Sequence, residues 1–259
     1  MEVLFRGQAT KLWCVAITTL PHPHIQLLLN SASKQNIQVH VLGQNDGTLM
    51  NKKVGYGKKL LYLYQFLIDK PKTDLLLCVD AYDVLFCGSA QEIVDAFDSY
   101  SDKKINVMFS GENVLFENQR FNRIYETLVP QPSQDIGPYS HACSGAFIGT
   151  VDSLLTILSR MPFTDQTDDQ HYWILSMGTS INNRQKDFCE SDSSIGMQVD
   201  TCARIAANIG CSGKDYYYDS KLHRFINSRT KTAPPILHFE GGPEVKSLVN
   251  PVYQLITSE

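Results

Sequence analysis

The feature that most constrains this chain is a regular alternation of short apolar runs with segments that have the spacing of amphipathic helices. Runs such as LWCVAITTL, IQVHVLG and LLLCVD read as strands, while GKKLLYLYQFLIDK and SAQEIVDAFDSY, among others, read as helices. Strands that alternate with helices favour an α/β fold with a mostly parallel central sheet flanked by helices. We predict one such domain, with an irregular insertion near Asn182 to Ser220.

Size and charge narrow the classes of function open to such a fold. The chain has 259 residues, of which 43% are hydrophobic, so it can bury a substantial core. Charged residues make up 19%, and a net charge of -4 argues against a nucleic-acid backbone or an acidic membrane as the main partner. No apolar stretch approaches the ~20 residues that a transmembrane helix needs.

The N-terminal segment MEVLFRGQATKLW has neither the charge pattern nor the continuous apolar stretch of a signal peptide. Within it, EVLFRG resembles the scar that a protease site leaves after recombinant expression. Residues 1–8 are therefore set aside as a remnant, and the domain is assigned to residues 9–259.

The seven cysteines form no CxxC pair and fit no zinc module. Cys189, Cys202 and Cys211 fall in the irregular region, where pairing among them is open. The sequence also has no Asn-x-Ser/Thr glycosylation site. These features favour a reducing compartment, the cytoplasm, for the chain as given, with a secretory lumen as the alternative if a targeting segment was removed.

Two carboxylates follow the most apolar of the predicted strands. The run from Leu75 to Val79 ends in Asp80, and Asp83 follows three residues later. In open α/β sheets, ligands bind beyond the carboxyl ends of the strands, and a hard divalent cation relieves the repulsion between neighbouring carboxylates. An Asp at a strand end is also a common turn former or helix cap. The pattern alone therefore leaves both readings open.

Three further motifs fit both a binding role and a structural one. Asp168 and Asp169 open a predicted helix, where acids also favour the helix dipole. His238 stands between a short apolar run and two glycines, a place that suits a metal ligand or an ordinary satisfied polar group. The stretch KKVGYGKKL sets glycines and lysines beside a helix start, a weak pattern for holding phosphate.

Taken together, these motifs resemble the glycosyltransferase domain of the multifunctional procollagen lysyl hydroxylase/glycosyltransferases, from about Val15 to Pro251. VGYGKK is similar to the family's Val-Gly-Gly-Gly-Gln-Lys stretch, and VDAYDVLF resembles its Asp-Ser/Ala-Tyr-Asp-Val signature. The pieces FSGEN, CSGAFIG, DDQHYW, VDTCARIAANIG and LHFEGG resemble further motifs of that domain. Because all of them follow in the family's order, the match is more specific than any single motif.

The resemblance implies a GT-A-like (Rossmann-like) fold that uses a UDP-sugar donor and Mn²⁺, or Mg²⁺ in its place. It implies Asp80, Asp83 and His238 as metal ligands, and Asp168 and Asp169 as the catalytic acids near the sugar and acceptor. The positions that it implies for binding the donor are Val15, Thr18, Thr19, Gly57, Lys59, Tyr82, Ser144 and Gly145.

The reaction that the resemblance implies is a retaining transfer of a hexose, glucose favoured, to galactosyl-hydroxylysine of a collagen-like protein or to another glycan hydroxyl. Departures from the family pattern at Cys143, Ala146, Phe239 and Glu240 bear on the donor sugar and the acceptor. The alternatives are galactose as donor sugar, a non-catalytic module that binds UDP and metal, and a metal-dependent phosphoryl-transfer or hydrolase domain.

Overall fold

A computed structural model of the chain describes residues 1–51, 55–100, 105–113, 137–185 and 195–258, with the backbone alone for residues 178–185. The strands in these ranges are β1 (Glu2–Phe5), β2 (Gln8–Ile17), β3 (Val39–Leu42), β4 (Leu75–Asp80), β5 (Val84–Phe86), β6 (Ile105–Glu112), β7 (His141–Thr150), β8 (Gly196–Asp200), β9 (Ala206–Asn208), β10 (Tyr216–Asp219), β11 (Arg224–Asn227) and β12 (Ile236–His238). The helices are α1 (His24–Lys34), α2 (Gly57–Leu67), α3 (Ala90–Asp98), α4 (Val151–Arg160), α5 (Asp169–Gln185), α6 (Ile209–Ser212), α7 (Pro243–Lys246) and α8 (Val249–Thr257).

The central sheet has the strand order β1-β2-β4-β7-β6-β8, and β3 also pairs with β2. Strands β2, β3, β4, β6 and β8 share one direction, while β1 and β7 run antiparallel to their neighbours. The predicted fold class, a mostly parallel sheet flanked by helices, is confirmed. No helix in the described ranges is long and apolar enough to cross a membrane.

The position of strand β4 in the sheet explains why its sequence is apolar throughout. Successive side chains of a strand point to opposite faces of the sheet, and helices cover both faces here. Leu75 and Leu77 pack into one core cluster with Leu28 of α1, while Leu76 packs into the other with Leu63 of α2. A strand buried on both faces has no solvent face for polar residues.

The chain leaves the central sheet directly after Asp80. The sequence analysis ended this strand at Asp80, and the structure adds a second strand, β5, which lies in a different sheet. β5 belongs to a small sheet of order β5-β12-β9, in which β12 runs antiparallel to β5 and parallel to β9. The turn between β4 and β5 carries Asp83, so the end of β4 lies beside the end of β12.

The region predicted as an irregular insertion contains regular structure. β8 forms the edge of the central sheet beside β6, and β9 joins the small sheet. These strands are short and lack strongly apolar runs, so their sequences give little local signal. Cys202 and Cys211 carry free thiols, and Cys189 lies outside the described residues.

The first eight residues, which the sequence analysis set aside from the fold, contain a paired strand. β1 forms an antiparallel hairpin with β2. Its Val3 and Phe5 are buried, and the Phe5 ring stacks on Phe97 of α3 with centroids 5.4 Å apart. These residues therefore contribute to the packed core, whatever their origin, and the assignment of a single domain to residues 9–259 stays a prediction.

Helix α3 begins as its sequence predicts. The Ser89 side chain accepts a hydrogen bond from the backbone N–H of Glu92, and the Glu92 carboxylate accepts one from the backbone N–H of Ser89. This reciprocal capping box, expected from the Ser-x-x-Glu spacing, is confirmed.

Candidate functional site

The carboxyl ends of three parallel strands open into a cavity of about 720 Å³. Thr19 follows β2, Asp80 ends β4 and Glu112 ends β6, and all three line this cavity. Parallel strands bring their carboxyl ends to the same edge of the sheet, which is where open α/β sheets bind ligands. The cavity is within the size range of small-molecule sites.

Three potential metal ligands meet at one side of the cavity. Asp80, Asp83 and His238 each offer one ligand atom, and these atoms lie within 4.8 Å of one another. Asp80 and Asp83 flank the turn from β4 to β5, whereas His238 ends β12, more than 150 residues later in the chain. The antiparallel pairing of β12 with β5, in which His238 lies opposite Val84, brings the imidazole to the two carboxylates.

The donor set fits a divalent cation. The imidazole Nε2 of His238 lies 3.6 Å from a carboxylate oxygen of Asp80 and 3.7 Å from one of Asp83, which is too far for hydrogen bonds. Nε2 is buried and has no hydrogen-bond partner among the described residues. A buried ring nitrogen that faces two carboxylates without bonding to either suits an ion held between them, and carboxylate oxygen with imidazole suits Mn²⁺.

Lys59 lies between two carboxylates on the other side of Asp80. From the first turn of α2, its Nζ atom reaches Asp80 at 2.6 Å and Asp169 at 3.2 Å. Burial alone would lower the pKa of Lys59, but Asp169 and Asp80 hold it well above its usual value. Burial would likewise raise the pKa of Asp80, but Lys59 and His238 hold it well below its usual range. Asp80 is therefore ionised and available as a ligand.

Lys246 of α7 reaches the other carboxylate ligand. Its Nζ atom lies 3.1 Å from Asp83, and the lysine side chain is 42% exposed and lines the cavity. Asp83 itself is buried, so this cation offsets a charge that water cannot solvate fully. The sequence analysis did not single out Lys246.

The His238 ring is fixed by contacts on its far side. Its Nδ1 atom lies 2.8 Å from Oδ1 of Asn208 and 3.7 Å from Sγ of Cys143. Burial raises the pKa of Cys143 to about 11, so this thiol is protonated at neutral pH. Burial would lower the pKa of His238, but the nearby carboxylates of Asp80 and Asp83 raise it well above its usual value. A metal ion would thus compete with a proton for this imidazole.

The two acidic residues at the start of α5, Asp168 and Asp169, have different surroundings. Asp168 accepts a hydrogen bond from the backbone N–H of His171 at 3.0 Å, as a helix-capping Asp does, so the structural reading of this residue holds. Asp169 is buried beside Lys59, and burial raises its pKa in spite of that lysine. Both residues line the cavity, and their catalytic role stays a prediction.

Glu112 is a cavity residue that the sequence analysis did not single out. Its side chain is buried, it accepts a hydrogen bond from Gln170 at 3.1 Å, and burial together with Glu240 raises its pKa to about 8. Glu240 in turn accepts hydrogen bonds from the backbone N–H groups of Gly210 and Cys211, which ties the end of β12 to α6. Applying the strand-end rule to INVMFSGEN, as was done for Asp80, would have found Glu112.

Another part of the cavity wall is aromatic and polar. Tyr82 lines it, forms a hydrogen bond with Thr18 and donates another to the backbone carbonyl of Leu20. The His22 ring packs against Tyr82 with centroids 4.6 Å apart.

Thr19 lines the cavity and donates a hydrogen bond to the carbonyl of Thr48. Ser144 and Gly145 line it from β7.

Three of the implied donor-binding residues, Val15, Thr18 and Gly57, do not line the cavity, although Thr18 is hydrogen-bonded to Tyr82, which does. Val15 is fully buried in the core, because it lies two residues before the end of β2, and Ile17 is the β2 side chain that reaches the cavity. Gly57 packs against a loop instead, since a Cβ atom there would lie 1.7 Å from the carbonyl oxygen of Thr164. Neither Val15 nor Gly57 is carried into the site proposed below.

Comparison with models of known protein families identifies the family of this chain. The model of the PLOD GT domain matches residues 8–257 of the chain. The chain belongs to the PLOD GT-domain family. The resemblance noted from the motifs is therefore confirmed, and a glycosyltransferase domain accounts for nearly all of the sequence.

Individual members of the PLOD family are distant relatives. The chain is 26% identical over 174 residues to mouse procollagen-lysine,2-oxoglutarate 5-dioxygenase 2, covering 65% of the chain and 22% of that protein. It is 26% identical over 238 residues to a multifunctional procollagen lysine hydroxylase and glycosyltransferase of Caenorhabditis elegans, covering 88% of the chain and 30% of that protein. The chain thus spans less than a third of the length of these relatives.

A solved structure supports the fold. A glycosyltransferase involved in the glycosylation of the major capsid of PBCV-1 superposes with a TM-score of 0.52 at 12% identity, covering 93% of this chain and 100% of the other. Similarity at this level of identity concerns the fold, which is that of the GT-A glycosyltransferases.

Proposed function

We propose that this chain is a metal-dependent glycosyltransferase that transfers a hexose from a UDP-sugar to a hydroxyl acceptor. The observation that carries the proposal is the meeting of Asp80, Asp83 and His238 around an unpartnered buried nitrogen at the edge of the cavity. Family membership supplies the reaction class, and this ligand set supplies the reason to expect a metal.

The three ligands would hold Mn²⁺, or Mg²⁺ in its place, at the β4–β5 turn. When bound, such an ion neutralises charge on a diphosphate leaving group. Lys59 and Lys246 add two cations on either side of the ligand set. Positive charge already in place at a leaving group needs no reorganisation during the reaction, which is the main source of electrostatic catalysis.

The remaining cavity residues suit a nucleotide sugar. Tyr82 offers an aromatic face for a base, and Thr18 holds its hydroxyl. Thr19 and Ser144 add hydroxyl groups to the cavity wall, and Gly145, which has no side chain, lets a ligand approach the backbone closely. On the acceptor side, Asp169 would position the acceptor hydroxyl or stabilise positive charge on the sugar, with Asp168 holding the start of α5.

The donor and acceptor follow from the family. Glucose is the favoured sugar, transferred with retention of configuration, and galactose is the alternative. Galactosyl-hydroxylysine of a collagen-like protein is the favoured acceptor, because the relatives named above act on procollagen lysine; another glycan hydroxyl is the alternative. Cys143 and Glu240, which depart from the family pattern, both line the cavity and bear on that choice.

The test is release of UDP from a panel of UDP-sugars, with Mn²⁺ and with chelator, by the wild type and by Asp83→Asn. We expect Mn²⁺-dependent release from one sugar, lost in the variant because a buried metal ligand is gone. Asp152→Asn is the matched control: its carboxylate is 53% exposed and pairs with exposed Lys72, so it should release UDP like the wild type.

Three results would contradict the proposal in different ways. Mn²⁺-dependent UDP binding without release from any sugar, even with a galactosyl-hydroxylysine peptide present, would indicate a non-catalytic module. Release of inorganic phosphate would indicate a hydrolase. Equal release of UDP with Mn²⁺ and with chelator would show that the reaction does not depend on a metal.

A further inference from the structure

Asn208 is the residue whose contacts extend the description of the site. It is the last residue of β9, and in the parallel pairing of β9 with β12 it lies opposite His238. Both side chains are buried, at 0% and 2% exposure. Asn208 is therefore placed by the small sheet, and no motif near the carboxylates points to it.

The orientation of the Asn208 side-chain amide is fixed by a second contact. Its Nδ2 atom lies 2.8 Å from the backbone carbonyl oxygen of Gly111 on β6. A carbonyl oxygen only accepts hydrogen bonds, so the NH₂ group must face Gly111. The amide oxygen Oδ1 then faces His238, 2.8 Å from Nδ1.

An amide oxygen is an acceptor without a proton, so the hydrogen in this bond must come from the imidazole. Nδ1 therefore carries a hydrogen, and in the neutral ring Nε2 is left with a free lone pair directed at Asp80 and Asp83. We propose that Asn208 is a positioning residue that selects the His238 tautomer able to bind a metal through Nε2. This inference rests on the proposed function and deepens it.

Cys143 offers the competing arrangement. Its thiol lies 3.7 Å from the same Nδ1 atom. If the thiol donated its hydrogen to Nδ1, the hydrogen of the neutral ring would sit on Nε2 and block the metal. The contact with Asn208 is shorter and is made by a stronger hydrogen-bonding group, so the arrangement with hydrogen on Nδ1 is favoured.

The first experiment measures Mn²⁺ affinity in the presence of UDP, by titration followed with electron paramagnetic resonance. Asn208→Leu keeps the branched shape of the side chain and removes the acceptor, so affinity should fall roughly 10–100-fold, the usual effect of losing a partner of a metal-bound histidine. Asn227→Leu, which removes an equally buried asparagine whose recorded hydrogen bonds lie outside the metal-ligand set, is the matched control for general loosening.

The second experiment needs no variant and therefore does not depend on Asn208→Leu folding. With chelator present and at a pH that leaves the imidazole neutral, long-range ¹H–¹⁵N spectra of the wild type report which nitrogen of His238 carries the hydrogen. We expect hydrogen on Nδ1 and none on Nε2. The opposite tautomer would overturn the inference, and a purely structural role for Asn208 would not predict either one.

The outcomes separate this inference from the function on which it rests. If the wild type binds Mn²⁺ and Asn208→Leu binds it equally well, the role of Asn208 is wrong and the proposed function stands. If Asn227→Leu loses as much affinity as Asn208→Leu, the effect is structural and the inference fails. If the wild type itself does not bind Mn²⁺, both the proposed metal site and the role of Asn208 fall.

Discussion

At the scale of single residues, the close packing around His238 leaves no space for an added methyl group on one side. A Cβ atom on Gly145 would lie 2.1 Å from Cε1 and 2.6 Å from Nε2 of the imidazole. Real Cβ atoms do not approach other atoms so closely, so either the ring or strand β7 must shift.

We expect Gly145→Ala to lose stability by about 1–3 kcal/mol through overpacking and to weaken Mn²⁺ binding by roughly tenfold, because the displaced ring loses its contact with Asn208. Chemical denaturation and metal titration measure the two effects. Gly213→Ala is the control, since its Cβ atom would meet nothing nearer than Ile209 at 3.4 Å. Wild-type Mn²⁺ affinity in Gly145→Ala would show that the ring has room to move.

The buried carboxyl group of Glu112 is a single residue that should make the stability of the protein depend on pH. Burial raises its pKa from 4.5 to about 8. Between these values the folded protein keeps a proton that the unfolded chain releases, so this carboxyl stabilises the fold below pH 4.5 and loses that contribution as pH rises through 8. The loss is at most about 1.4 kcal/mol per pH unit.

We therefore expect Glu112→Gln, measured with chelator present, to gain stability relative to the wild type between pH 5 and pH 8. Glutamine keeps an acceptor for Gln170 but has no charge to bury. Urea denaturation at a series of pH values gives the comparison, and Glu244→Gln, at an exposed position, should follow the wild type. Parallel pH curves for Glu112→Gln and the wild type would mean that Glu112 is ionised in the folded protein.

At the scale of secondary-structure elements, the hairpin of β1 and β2 illustrates how alternation decides the effect of a substitution. Phe5 is 7% exposed and stacks on Phe97, whereas its neighbour Leu4 is 61% exposed. Adjacent strand residues point to opposite faces, so one contributes to the core and the other does not.

Phe5→Ala should cost about 3 kcal/mol of unfolding free energy, because it removes a large buried side chain. Leu4→Ala, one residue away, should change it by less than about 0.5 kcal/mol. Thermal or urea denaturation of the pair measures the difference. Equal stabilities would mean that β1 does not pack on α3 in solution.

At the scale of the whole molecule, a ligand that binds only the folded chain adds its binding free energy to stability. The three proposed metal ligands come from β4, the β4–β5 turn and β12, which meet only when the two sheets are in place. The unfolded chain therefore has no preformed site.

Mn²⁺ at a hundred times its Kd should stabilise the protein by about 2.7 kcal/mol, which corresponds to a rise in Tm of roughly 5–10 °C for a chain of this size. Differential scanning calorimetry with Mn²⁺ and with chelator measures the shift. Asp83→Asn should show none, and Asp152→Asn should show the full shift. A full shift in Asp83→Asn would place the metal elsewhere.

Local sequence was sufficient to predict much of the fold and part of the candidate site. The periodicity of GKKLLYLYQFLIDK, the Ser89–Glu92 capping box and the apolar run of β4 each act over a few residues, so they can be read without tertiary contacts. Asp80 and Asp83 stand at a strand end, and strand ends carry sites in this fold class. Weakly apolar strands such as β8 and β9 were missed because their pairing partners, rather than their own residues, make them strands.

The sequence by itself determined the fold class and the family, and its resemblance to that family implied Asp80, Asp83 and His238 as metal ligands, because those depend on patterns within short stretches. Only the tertiary structure decided which distant groups complete the site. His238, Glu112 and Asn208 lie on three different strands. Sheet pairing brings Glu112 to the cavity that Asp80 lines, and it places Asn208 and Asp80 at different nitrogens of the His238 ring. Whether His238 is a ligand or an ordinary buried histidine depends on what its two nitrogens face, and those neighbours come from remote parts of the chain.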